Sequence, residues 1–130
     1  MSKQQGKIII APNLNVWPHE LKTAEALARA GYTVEFIRRS EEQRAKSADV
    51  LINGSLWEMK APTSSNMKAV EKNLRKATKQ ATYVIFDCRR MKSVPENAIE
   101  REIRICVSKR IKTLKSVLFV NRKGQVIDIQ

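Results

Sequence analysis

The sharpest pattern of apolar and polar positions lies over Ala48–Lys60, where Val50-Leu51-Ile52 and Leu56-Trp57 flank Asn53-Gly54. Asn-Gly is the dipeptide best suited to a two-residue β-hairpin, because both turn positions tolerate positive φ. A loop of that length fixes the register, since residues equally distant from the turn face each other. Ile52 then faces Ser55, Leu51 faces Leu56, Val50 faces Trp57 and Asp49 faces Glu58. Strand alternation sets Lys60 on the same face as Glu58.

Helical periodicity appears three times. Pro18 suits a first helical turn and Gly31 a helix end, with Leu21, Ala24, Leu27 and Ala28 as the buried stripe between them. A second helix is predicted over Met67–Ala81, with Met67, Val70, Leu74, Ala77 and Ala81 on its apolar side. A third opens at Pro95-Glu96 and carries Ile99, Ile103, Cys106, Val107 and Ile111.

The remaining strands are short. Lys7–Ile10 adds one, after a basic end over 1–7 that is expected to fray. Tyr32–Arg38 reads as a core strand with Val34 and Phe36 on one face, and Thr82–Cys88 as a buried central strand. Val117–Val120 and Val126–Ile129 close the chain as a hairpin around Asn121–Gly124, with Asp128 facing outward. Ser40–Ser47 is a polar connection, and Ala61–Asn66 breaks the chain and offers caps to the second helix.

Length then bounds the answer. At 130 residues the chain makes one domain, 1–130, large enough to bury a core without staples. Lys and Arg number 25 against 13 Asp and Glu, a net charge of +12, which points to a polyanionic partner. Aromatic residues are only 5%, so stacking on bases is not expected to dominate that contact. No apolar run reaches membrane-spanning length, and no signal-peptide pattern is present. Cys88 and Cys106 have no zinc or redox spacing and read as buried thiols.

Candidate chemistry gathers at the first hairpin. Opposed carboxylates destabilise a sheet unless a positive charge lies between them. Asp49 and Glu58 therefore form either a metal site with Lys60 as cationic neighbour or, if the register slips, ordinary solvated strand ends. Glu20 falls within roughly 50° of the centre of its helix's apolar stripe, where a carboxylate is costly unless paired or metal-bound. It also sits in the positively poled first turn, which alone would favour it. His19 points about 100° away and reads as structural or solvent-facing. On the second helix Lys68, Lys72, Arg75, Lys76 and Lys79 cluster opposite the apolar side, against a single Glu71. That excess favours contact with a phosphate backbone over a merely solvated face. Asn73 and Gln80 lie on the seam, able to reach the site edge or to cap the packing.

The series Asp49 … Glu58-Met59-Lys60 resembles the core of the PD-(D/E)XK nuclease superfamily, with Ala48 where that pattern usually has proline. The resemblance implies a mixed central sheet flanked by helices, an α/β restriction-endonuclease-like core ending here in a C-terminal hairpin. It implies that Asp49 and Glu58, with the Met59 carbonyl, hold Mg²⁺ or Mn²⁺, and that Lys60 assists the attacking water. Glu20 would border the metal site, binding a bridging water or a second ion, and Gln80 would lie at the site edge.

Most of the span 17–130 further resembles the C-terminal nuclease domain of contact-dependent growth inhibition toxins. The likeness rests on the first-helix pattern, on Asp49, on Trp57-Glu58-Met59-Lys60-Ala61-Pro62 and on Ala77-x2-Gln80-Ala81. It implies a metal-dependent endonuclease that cuts transfer RNA or other RNA in preference to DNA. A cognate immunity protein is implied as partner, and the cytoplasm of a target cell, reached by delivery, as the place of action. The alternatives are a DNA endonuclease of the same fold from a phage or mobile element, and a non-catalytic nucleic-acid-binding or phage structural module.

Overall fold

The computed structural model describes residues 4–37 and 49–130. Among them seven strands form one sheet in chain order: β1 (Ile8–Ile10), β2 (Val34–Phe36), β3 (Asp49–Ile52), β4 (Ser55–Lys60), β5 (Tyr83–Asp87), β6 (Ser116–Val120) and β7 (Val126–Ile129). The sheet is mixed. Strands β1 and β2 pair parallel, as do β4, β5 and β6 in succession, and the other neighbours pair antiparallel. Parallel neighbours need a long crossover. Helix α2 (Lys68–Ala77) supplies the one from β4 to β5, and α3 (Glu96–Ile105) the one from β5 to β6.

Helix α1 (Pro18–Arg29) covers one face of the sheet and α2 with α3 the other. Alternation along β5 shows how the sheet divides its side chains. Val84 and Phe86 join Val70, Leu74, Ile99 and Ile103 in one core, while Ile85 joins Ala24, Leu27, Val34, Phe36 and Met59 in the other. Among the described residues no helix is long and apolar enough to cross a membrane.

Most expected elements are present, with informative shifts. The fraying expected over 1–7 does not reach Gly6 and Lys7. The Gly6 amide donates to the Ala28 carbonyl at 2.8 Å, and the Val34 amide donates to the Lys7 carbonyl at 2.8 Å. Gly6 is also required by contact, because a Cβ there would lie 1.8 Å from the Tyr32 oxygen. The Arg38 end of the expected core strand, the connection over 40–47 and Ala48 lie outside the described residues.

Helix α1 ends before Gly31, whose φ of +102° suits glycine, but its buried stripe is turned from the expected one. Leu21 is exposed, whereas Glu20, Thr23, Ala24, Ala26 and Leu27 are buried. Helix α2 stops at Ala77 instead of Ala81, and the Thr78 hydroxyl donates to the Arg75 carbonyl as the chain turns off. Ala81 is nonetheless buried. Helix α3 runs into a π-turn at Cys106–Arg110, closed by the Ile111 amide on the Cys106 carbonyl at 2.9 Å. Burial pushes the Cys88 thiol up to about 12 and Cys106 to about 11, so both stay protonated inside the core, as their apolar contexts led one to expect.

Candidate functional site

The hairpin of β3 and β4 has the register that its turn dictates. Asn53 and Gly54 both take positive φ, 52° and 80°. This is the twist that a two-residue hairpin turn needs. Asp49 pairs with Glu58, Val50 with Trp57, Leu51 with Leu56 and Ile52 with Ser55. Both carboxylates are buried, Asp49 at 7% exposure and Glu58 at 1%. Lys60 is half-buried two residues beyond Glu58, hence on the same face. The parallel ladder sets Glu58 beside Val84 and Lys60 beside Phe86, so this face opens at the carboxyl ends of β4 and β5. Open α/β sheets hold their ligands at such ends.

A cavity of about 410 Å³ lies there. Helix α1 contributes His19 and Glu20 to its wall, β4 and its exit contribute Glu58–Pro62, α2 contributes Asn73 and Lys76, and Gln80 and Arg90 complete it. Glu20, Glu58, Lys60 and Gln80, chosen from the sequence for separate reasons, thus line one space. Asp49, buried across the hairpin from Glu58, is not among the lining residues. Glu20 has a second role, because its Oε1 accepts the Trp17 backbone amide at 2.9 Å and so caps its own helix. His19 lines the cavity as well, where the sequence suggested a residue turned away.

Two further residues that the sequence did not assign to the site shape this end of the sheet, Arg90 reading there only as part of the basic surface after the strand. Asp87, buried at the end of β5, accepts the Thr23 hydroxyl at 2.6 Å and a double hydrogen bond from the Arg89 guanidinium. Arg89 also reaches the Lys22 carbonyl at 3.1 Å. This network ties α1 to β5 and explains the turned stripe, because Thr23 must face inward to meet Asp87. Glu20, three residues earlier, then faces inward too. Asp87 in turn raises the Arg89 pKa above its ordinary value.

Arg90 is the other. Its Nη1 donates to the Ala61 carbonyl at 2.9 Å, bridging the exits of β4 and β5 while lining the cavity. A cation directly after an apolar strand was the available signal. Only the ladder between β4 and β5 shows where that cation sits.

The cations expected on one face of the second helix divide, and Lys79 lies past the end of α2. Lys76 lines the site cavity, whereas Lys68, Lys72 and Arg75 line a separate one with Glu71, Glu102 and Arg110. Lys79 is exposed and lines neither of these two cavities. Arg75 is already engaged by Glu71 at 2.8 Å, and that hydrogen bond holds the Glu71 carboxyl below its usual range. Among the described residues, the group of three or more ligand-type side chains within 4.8 Å is Glu71, Glu102 and Cys106. Arg110 bonds both of those carboxylates, so they are compensated by guanidinium. Glu20 does not join Asp49 and Glu58 in a group of that kind.

A family model for the contact-dependent growth inhibition CdiA C-terminal domain matches residues 46–126, a span holding β3, β4, α2, β5, α3 and β6. The chain belongs to this family. The CdiA C-terminal match includes Asp49, Glu58 and Lys60 and leaves α1, with Glu20, outside it. A chain of the CdiA-CT/CdiI toxin and immunity complex from Burkholderia pseudomallei is similar in fold, with a TM-score of 0.71 at 21% identity. The match covers 96% of this chain and 99% of that one. No curated protein matches the sequence.

Proposed function

We propose that this CdiA C-terminal domain is a toxin acting as a metal-dependent endonuclease of the PD-(D/E)XK kind, with RNA, and transfer RNA above all, as substrate. The observation that carries the reading is the in-register pair of buried carboxylates, Asp49 and Glu58, with Lys60 on their face at a cation-lined cavity. Placing two carboxylates opposite each other inside a sheet is unfavourable unless the arrangement serves a cation. The donor set fits Mg²⁺ or Mn²⁺, since it offers hard oxygens with neither thiolate nor imidazole on the hairpin. Asp49, Glu58 and the Met59 carbonyl would hold the ion, with Glu20 across the cavity. When bound, a divalent cation offsets phosphate charge and acidifies water.

The chain's own groups supply the rest. Lys60 Nζ hydrogen-bonds and orients the attacking water and stabilises charge gathering on the cleaved phosphate. Lys76 and Arg90 hold neighbouring phosphate oxygens, Arg90 from a position fixed by Ala61. Gln80 and Asn73 offer uncharged donors at the edge. Delivery into the cytoplasm of a target cell, and inhibition there by a cognate immunity protein, accompany this reading.

The decisive experiment incubates the protein with transfer RNA and with plasmid DNA, in Mg²⁺ and in excess EDTA. Cleavage of RNA in Mg²⁺ alone is the expected result. Equal cleavage in EDTA would sink the metal mechanism, and cutting of plasmid alone would move the substrate to DNA. Binding without cleavage in any condition would leave a non-catalytic module. The division of α2 adds a prediction. Lys76→Gln with Arg90→Gln should weaken RNA binding and lower the slope of log affinity against log salt by about 2, roughly one per lost phosphate contact. Lys68→Gln with Lys72→Gln should change that slope little. The reverse ranking would place the nucleic acid on the outer face of α2.

A further inference from the structure

Next to His19 and Glu20 of the cavity wall stands a large aromatic ring in water. Trp17 is 66% exposed, more than any other large hydrophobic side chain among the described residues. An indole left in solvent beside a polar, cationic cavity is the kind of exposure that marks a contact surface. The backbone that carries the ring is held in place. The Trp17 amide donates to Glu20 Oε1 at 2.9 Å, and Pro18 restricts the backbone immediately after it. The indole lies against the His19 imidazole, with ring centroids 6.3 Å apart and planes tilted by 30°. His19 and Glu20 both line the cavity, as do Lys60, Lys76 and Arg90.

We propose that Trp17, backed by His19, is a stacking shelf for one unpaired nucleotide base, whose flanking phosphates are held by Lys60, Lys76 and Arg90. The proposal rests on the nucleic-acid reading given above and narrows its substrate class. Every base has a π-face, so the shelf accepts bases with little regard to identity. In a continuous duplex those faces are covered by neighbouring base pairs. Only a loop, a bulge or a single strand can present one, and the site thereby selects unpaired segments. The low aromatic content agrees with a shelf for one base and not a track for many.

The test reads binding without chemistry. The chain has two tryptophans, so Trp57→Phe leaves Trp17 as the sole indole. Titration in EDTA with a single-stranded oligoadenylate of about eight nucleotides should quench its fluorescence to saturation. A duplex of the same length should quench it little. In filter binding, Trp17→Ala should weaken the single-stranded affinity about tenfold and leave the duplex affinity and the salt slope unchanged, and Trp17→Phe should retain most of it. Unchanged affinity in Trp17→Ala, equal quenching by duplex, or no quenching by either probe would each overturn the shelf. Quenching that persists in a protein unable to cleave in Mg²⁺ upholds the shelf and defeats only the nuclease chemistry.

Discussion

Lys60→Ala should lower the single-turnover cleavage rate by about 10²- to 10⁴-fold while RNA affinity measured in EDTA should change little. The expectation follows from position. Lys60 is the last residue of β4, half-buried, two residues past Glu58 and on the wall of the cavity. Its ammonium is therefore a local charge, compact enough to meet a water or a phosphate oxygen at one point. Lys76 and Arg90 remain in the same wall to hold the backbone, which is why affinity should survive. Lys60→Arg discriminates further. A guanidinium keeps the charge but presents a planar fork on a longer stem, so it should rescue binding without restoring the rate. A rate equal to wild type in Lys60→Ala would reduce Lys60 to a strand-end charge.

The hairpin could be read from sequence because one local rule governs it. Two positive-φ residues in a two-residue turn leave no freedom in register, and Asp49 opposite Glu58 follows by counting. Glu20 was legible for a different reason, as a carboxylate inside an apolar stripe. The stripe itself was read one position off because only apolar residues were counted. The reason Leu21 faces water is Thr23, which turns inward to Asp87 across 64 residues of sequence. A hydrogen bond between a hydroxyl and a carboxylate that far apart leaves no periodic trace.

The place of Arg90 in the site was hidden for the same reason, although the cation itself was legible as part of the basic surface after the strand. In sequence it is one of three cations after a strand, and nothing local separates it from Arg89, which serves Asp87 instead. Their different duties come from the parallel pairing of β4 with β5, a non-local fact. The basic face of α2 shows the opposite error. Periodicity grouped five cations as one face, but Lys79 lies past the end of α2, and a helix face is wide. The neighbours of α2 assign Lys76 to the site and give Arg75 to Glu71.

The opposed carboxylates carry the remaining large effect. In the metal-free protein Asp49 and Glu58 share one face of the hairpin at directly paired positions. Charges about 5 Å apart at an effective dielectric of 20 repel by about 3 kcal/mol, an upper figure that Lys60 and solvent reduce. Asp49→Asn or Glu58→Gln should therefore raise stability in EDTA by about 1 kcal/mol, since the isosteric amide keeps the packing and removes one charge. The same substitutions should abolish the rise in melting temperature that Mg²⁺ or Mn²⁺ gives the unmutated protein, because a ligand stabilises only a fold that binds it. Cleavage should vanish with that rise. Thermal melts of the three proteins, with and without metal, read both effects without reference to substrate. Variants less stable than wild type in EDTA, together with an equal metal shift in all three, would mean that the two carboxylates share no cation. Asp49 and Glu58 would then be held together for the fold alone, and the catalytic reading of Lys60 would lose its neighbour.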